Sequence, residues 1–245
     1  MDRLIYTAMS GASAAAHRQS VLANNLANAS TGGFRAELST FRAVPLRGNG
    51  ATTRVFALEA TAGHLDTPGP VQRTGRNLDV MAGGQAWFAV QGLDGTEAYT
   101  RNGALEVSPE GALVNSGGLA MMSEGGGPIN VPAGSELSVA ADGTLTATQP
   151  GRPPASVGRL KLITASAEQA LQRGPDGLFR SPAGDTLPAD PNARLQTGAL
   201  EGSNVNPVDA MVGMIQVARQ FETQMRLLQT AEANDKSASQ LLGLQ

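Results

Sequence analysis

The chain has 245 residues, enough for one large domain or two small ones, and is 41% apolar with only 4% aromatics. Its formal charge is −3 and it has no basic blocks, so no nucleic-acid partner is expected. The absence of cysteine excludes disulfides, thiolate metal sites and cysteine nucleophiles, and leaves the redox compartment open.

Residues 1–30 predict a helix. Ile5, Ala8, Ala12, Ala15, Leu22, Leu26 and Ala29 alternate between the a and d positions of a heptad, interrupted by Gln19. At 1.5 Å per residue this helix would run about 40 Å. An alanine stripe admits a close neighbour but buries little area, so the helix should need a partner. The stretch "LANNLANASTGGFR", Leu22 to Arg35, then dismantles it with asparagine, serine, threonine and two glycines. No continuous apolar run follows Arg3, so no secretory signal peptide is expected, and no segment reaches the roughly 20 apolar residues of a membrane helix.

Residues 31–76 read as an extended connector. Gly32, Gly33, Gly48, Gly50, Gly63, Pro68, Gly69 and Pro70 punctuate short apolar pieces at Phe41–Leu46 and Val55–Leu58.

Residues 77–200 predict a β domain. Strand candidates are Trp87–Val90, Ala104–Val107, Ala112–Val114, Leu137–Ala140, Thr144–Ala147 and Arg159–Thr164. Turn signals separate them at Asp94-Gly95, Asn102-Gly103, Glu110-Gly111, Asp142-Gly143 and Asp176-Gly177. In each, the glycine is expected to supply the positive φ of a tight hairpin.

Residues 201–245 return to helix. Asn206 can cap, Pro207 suits the first helical position, and Asp209 faces the positive end of the helix dipole. Met211, Met214, Ala218, Phe221, Met225 and Leu228 then follow a 3-4 spacing that reads as a packing seam. The fold class is therefore α+β, with coiled-coil-like terminal helices flanking a central all-β domain.

Catalytic constellations are weak. His17 and His64 are far apart in sequence, and no metal-ligand spacing accompanies them. The glycine clusters at 117–118 and 125–127 lack a P-loop lysine and read as turns. Trp87 reads as strand core. No catalytic, cofactor or metal residue is assigned, and no small-molecule substrate is expected. Two narrow-striped terminal helices instead suit a subunit of a filament or tube, because head-to-tail contacts that do not close generate helical polymers.

The opening stretch resembles the N-terminal signature of bacterial flagellar rod and hook proteins, matching it at Ala23, Asn24, Asn25, Leu26, Ala27, Asn28, Thr31, Gly33 and Phe34. Arg76–Val90, Tyr99–Gly118 and Leu200–Glu222 resemble further segments of that family in the same order. The resemblance implies a non-catalytic subunit of the basal-body rod, crossing the periplasm and transmitting torque for motility. It also implies export through the flagellar type III apparatus, with other rod subunits and copies of the same chain as partners. The assembly residues it points to are Ile5, Leu22, Asn24, Asn25, Leu26, Asn28, Met211, Met214, Ala218, Phe221, Met225 and Leu228. A proximal-rod subunit fits best, a distal one is the alternative, and a rod-associated cell-wall-cleaving enzyme is the alternative of a different class.

Overall fold

The computed structural model describes residues 2–45, 55–166 and 170–242 and resolves into two compact units. One comprises residues 1–29, 36–65 and 205–245, and the other residues 30–35 and 66–204.

In the first unit, helix α1 (Asp2–Ala27) packs along the last helix, α2 (Pro207–Leu242). Leu22 meets Gly213 while Gln224 meets Gly11, so the helices run antiparallel. From α1 the alanine stripe turns inward, with Ala8, Ala12 and Ala15 buried and Ile5, Leu22 and Leu26 half-buried. The start of α2 is as the sequence predicts. Asn206 Oδ1 accepts from the amides of Val208 at 3.0 Å and Asp209 at 3.4 Å, satisfying donors a helix N-terminus leaves open.

The segment read as an extended connector holds an antiparallel hairpin, β1 (Glu37–Pro45) with β2 (Val55–His64), whose two strands pack against α1. Its glycines and prolines suggested loop, but β1 contains none of them before Pro45, and its Thr40, Phe41 and Val44 are β-branched or aromatic residues that favour strands. Leu46, Gly48 and Gly50 lie outside the described residues.

The second unit is the β domain. In chain order its strands are β3 (Val71–Arg73), β4 (Val80–Ala82), β5 (Ala86–Gln91), β6 (Glu97–Thr100), β7 (Leu105–Val107) and β8 (Leu113–Asn115). They continue as β9 (Glu136–Val139), β10 (Thr144–Thr148), β11 (Ala155–Arg159), β12 (Leu162–Thr164), β13 (Gln172–Arg173), β14 (Phe179–Arg180), β15 (Leu195–Thr197) and β16 (Ala199–Glu201). A five-stranded sheet of order β12-β5-β6-β14-β13 lies beside a three-stranded sheet of order β11-β10-β9, with pairs β7-β8, β15-β4 and β16-β3 completing the domain.

Strand β5 is buried on both faces and divides two apolar clusters. Phe88 and Val90 join Leu105, Leu113, Met121 and Leu145, whereas Trp87 and Ala89 join Tyr99, Ile163 and Phe179. Period-2 alternation places successive side chains in different clusters. Trp87 is therefore strand core, its ring 4.6 Å from that of Phe179.

Two sequence expectations need correction. Arg159–Thr164 is not one strand: β11 belongs to the three-stranded sheet and β12 to the five-stranded one, the chain changing sheets at Leu160-Lys161. Leu160 and Leu162 enter the same apolar cluster from either side of the change, which makes the two pieces look like one strand in sequence. Asn102-Gly103 is not a positive-φ turn. Gly95, Gly111, Gly143 and Gly177 do adopt φ between +78° and +88°, but Gly103 is absent from the left-handed glycines. It is constrained by space: a Cβ there would lie 1.8 Å from the carbonyl oxygen of Val80.

Candidate assembly site and a buried charge cluster

The asparagines of the opening stretch act inside the chain. Buried Asn25 sits on the last turns of α1 and clamps the start of β1, its Nδ2 donating to Glu37 O at 2.9 Å and its Oδ1 accepting from Glu37 N at 2.8 Å. Asn24 Nδ2 donates to the Glu37 carboxylate at 3.2 Å, and Asn28 Nδ2 donates to Asn24 O at 2.9 Å. A primary amide matches a backbone amide donor for acceptor, which is why asparagine suits this position.

The inward face of α2 runs Ala210, Met214, Val217, Phe221, Gln224, Leu228 and Ala231, a 4-3 spacing of buried and half-buried side chains. This is offset from the methionine-based seam read from the sequence. Met214, Phe221 and Leu228 belong to both, and Ala218 is half-buried beside them, but Met211 and Met225 are 50% and 38% exposed. The reason lies on α1. Its alanines and Gly11 allow close approach, so that Gly213 lies against Leu22 and the amide of Gln224 against Gly11.

What remains outside is an apolar face on the first turns of α2, formed by Val208, Met211, Val212 and Ile215. Ile215 is 56% exposed and Val208 63%. Positions i, i+3, i+4 and i+7 share one side of a helix. Further exposed apolar residues are Met225 and Leu227 on α2 and Tyr6 and Met9 on α1. The sequence reading missed Val208, Val212 and Ile215, although the spacing in "VDAMVGMI" carries the signal.

Within the β domain, three charged residues invisible to motif reading converge. Arg35, just after the opening signature, Arg101 and Glu201 are each 3% exposed. Arg35 Nη1 lies 2.5 Å from Glu201 Oε1, and Arg101 Nε donates to Oε2 at 2.7 Å. Arg101 also donates to the carbonyls of Ala86 and, at 2.9 Å, Gly84. Both guanidinium carbons lie within 6 Å of the Trp87 ring centroid, at 5.9 Å for Arg35 and 5.7 Å for Arg101, the range of cation–π attraction. Burial pushes the Arg101 pKa down, Glu201 opposes that shift, and the neighbouring Arg35 charge adds to it.

A second buried group satisfies itself. Lys161 Nζ donates to both Glu97 oxygens, at 2.7 and 2.9 Å, while Tyr99 Oη donates to Glu97 at 2.9 Å and accepts from Leu187 N at 2.7 Å. Burial first, and then the Glu97 charge, raise the Tyr99 pKa far above its usual value. This second group is sealed and internally paired, an arrangement that orders a core. Among the described residues no group of three or more His, Asp or Glu side chains could hold a metal ion.

Three family models match the chain in succession. They are "Flagella basal body rod protein" over residues 5–35, "Flagellar hook protein FlgE/F/G D1 domain" over 81–147, and "Flagellar basal body rod FlgEFG protein C-terminal" over 196–241. They define the class of the rod and hook axial proteins of the flagellum. The flagellar basal-body rod protein FlgF of Salmonella typhimurium is 49% identical, and that of Escherichia coli K12 48% identical, each over 100% of both chains. A rod protein FlgG from Buchnera aphidicola is 28% identical over 97% of this chain and 98% of its own. The chain belongs to the FlgF family of flagellar basal-body rod proteins.

Proposed function

We propose that the chain is a structural subunit of the bacterial flagellar basal-body rod, assembled by coiled-coil-like packing of its terminal helices against those of neighbouring rod subunits. The observation that carries this reading is the exposed apolar face at the start of α2, on a chain whose full-length relatives are rod proteins. Burying the exposed half of a side chain such as Ile215 stabilises an interface by about 1–2 kcal/mol, and several on one face favour association. The greater identity to FlgF than to FlgG favours the proximal part of the rod. The FlgF relatives belong to a structural, non-enzymatic family, which sets aside a cell-wall-cleaving activity. Torque transmission across the periplasm and export through the flagellar type III apparatus complete the reading.

The test is Ile215→Asp in cells lacking the native copy. Ile215 is already more than half exposed, so the change should leave the subunit folded, whereas burying an unpaired carboxylate on assembly is costly. Loss of swimming and of the subunit from purified basal bodies, with normal levels of folded protein, is expected. Normal swimming with the variant present in basal bodies would reject the reading. Phe221→Asp is the less clean probe, because Phe221 is half-buried on the face α2 turns inward within its own chain.

A further inference from the structure

Three segments meet at the base of the β domain: residues 30–35, where the chain comes in, 66–70, where it returns, and 199–204, where it leaves. Among the described residues, neither apolar cluster of the domain includes a member of these segments. Glu201 joins them instead. Its carbonyl accepts from the amide of Gly33 at 2.8 Å, and its carboxylate accepts from the amide of Gly69 at 3.1 Å as well as from the two arginines. Gly202 N donates to Pro70 O at 2.8 Å, closing the same junction. The approach is tight, because a Cβ on Gly33 would lie 2.4 Å from the Arg101 carbonyl carbon, and one on Gly69 2.0 Å from Gly202 O.

Beside the β16-β3 pairing the junction is held by charge, and the charge does not balance. Two guanidinium groups face one carboxylate, leaving one positive charge in excess. Arg35 Nε, though buried, has no hydrogen-bond partner among the described residues. The desolvation cost of buried ions offsets much of their attraction, whereas apolar burial carries no such cost. A region outside both apolar clusters, sealed by a partly unsatisfied ion cluster, opens more readily than an apolar core.

We infer that Glu201 is a latch: it can leave Arg35 and Arg101, releasing the three base segments as one unit while both apolar clusters of the β domain stay folded. The device decides whether the segments that carry the chain into and out of the domain are held or loose. The chain's one tryptophan reports on it, since Trp87 stands against both arginines yet is anchored in the core by Phe179.

The test is amide hydrogen exchange on the full chain under weakly denaturing conditions, followed residue by residue. The amides of Gly33, Gly69 and Gly202 should exchange through one shared opening, at least about tenfold faster than those of Leu113 and Met121 in the core. Glu201→Gln should speed exchange at the three base amides by a further factor of roughly ten, shift Trp87 emission, and leave Leu113 and Met121 unchanged. The latch is refuted if the base amides exchange at the core rate in the native chain. It is equally refuted if the substitution speeds base and core alike, or speeds neither. Should Glu201→Gln fail to fold, the comparison within the native chain decides alone.

Discussion

Replacing Gly103 with alanine isolates what that glycine does. Its added Cβ would lie 1.8 Å from Val80 O, 2.9 Å from Val80 C and 3.1 Å from Phe88 Cε2. Non-bonded atoms need about 3 Å, so the two backbones must part by roughly 1.2 Å. That movement breaks the bond from Val80 N to Gly103 O, 2.9 Å long, and with it the neighbouring one from Leu105 N to Leu78 O, 3.0 Å long. Each lost bond costs about 1 kcal/mol and the overpacking against Val80 and Phe88 about 1–3 kcal/mol, giving about 3–5 kcal/mol in all. Gly95→Ala is the control. Gly95 has φ +78° and open space where a Cβ would go, so only left-handed backbone strain of about 1–2 kcal/mol is added. Urea and thermal unfolding of the full chain, each followed by Trp87 emission, should therefore rank Gly103→Ala well below Gly95→Ala, with a melting temperature lower by about 5 °C or more. Equal losses for the two variants would mean that close approach does not govern Gly103.

Asn25→Ala removes both bonds to the backbone of Glu37 and leaves a half-buried amide and carbonyl unpaired. A loss of about 1–3 kcal/mol is expected, seen as faster hydrogen exchange at the end of α1 and the start of β1, with the β domain untouched. Tyr99 makes stability fall in alkali. Its folded pKa is raised above the unfolded value of about 10, so the unfolded chain releases the proton first and the native state loses ground above about pH 10. The slope approaches about 1.4 kcal/mol per pH unit. Tyr99→Phe should flatten that slope in urea titrations at pH 8–11, and should lower stability at pH 8 because Leu187 N loses its acceptor.

Local signals in the sequence carried well. The Asn206-Pro207-Asp209 start of α2 and four aspartate- or glutamate-glycine turns depend on near neighbours in the chain, and all appear. Contacts between distant residues did not carry. Gly103 is constrained by Val80, so its left-handed reading, sound for Gly95, failed. The inward face of α2 is set by which small residues α1 presents, so hydrophobicity alone did not separate Met214, Phe221 and Leu228, which turn inward, from the exposed Met211 and Met225. Glu201 lies 166 residues from Arg35 and 100 from Arg101, beyond the reach of any motif. Hairpin β1-β2 was lost because its punctuating glycines were weighed and its β-branched and aromatic residues were not.

The β domain begins and ends at one place. Phe34 O accepts from Asn204 N at 3.2 Å, and Asn204 Nδ2 donates to Thr67 O at 2.8 Å, so the points where the chain comes in, returns and leaves are neighbours along one edge. A domain whose termini are adjacent is a cassette. Its interior can be lengthened, shortened or exchanged between related chains without changing the distance its ends must span, as tolerance to domain insertion requires. Gly33 and Gly69 are the narrow part of that socket, and any exchanged domain must still supply a surface on which two bare backbones can lie.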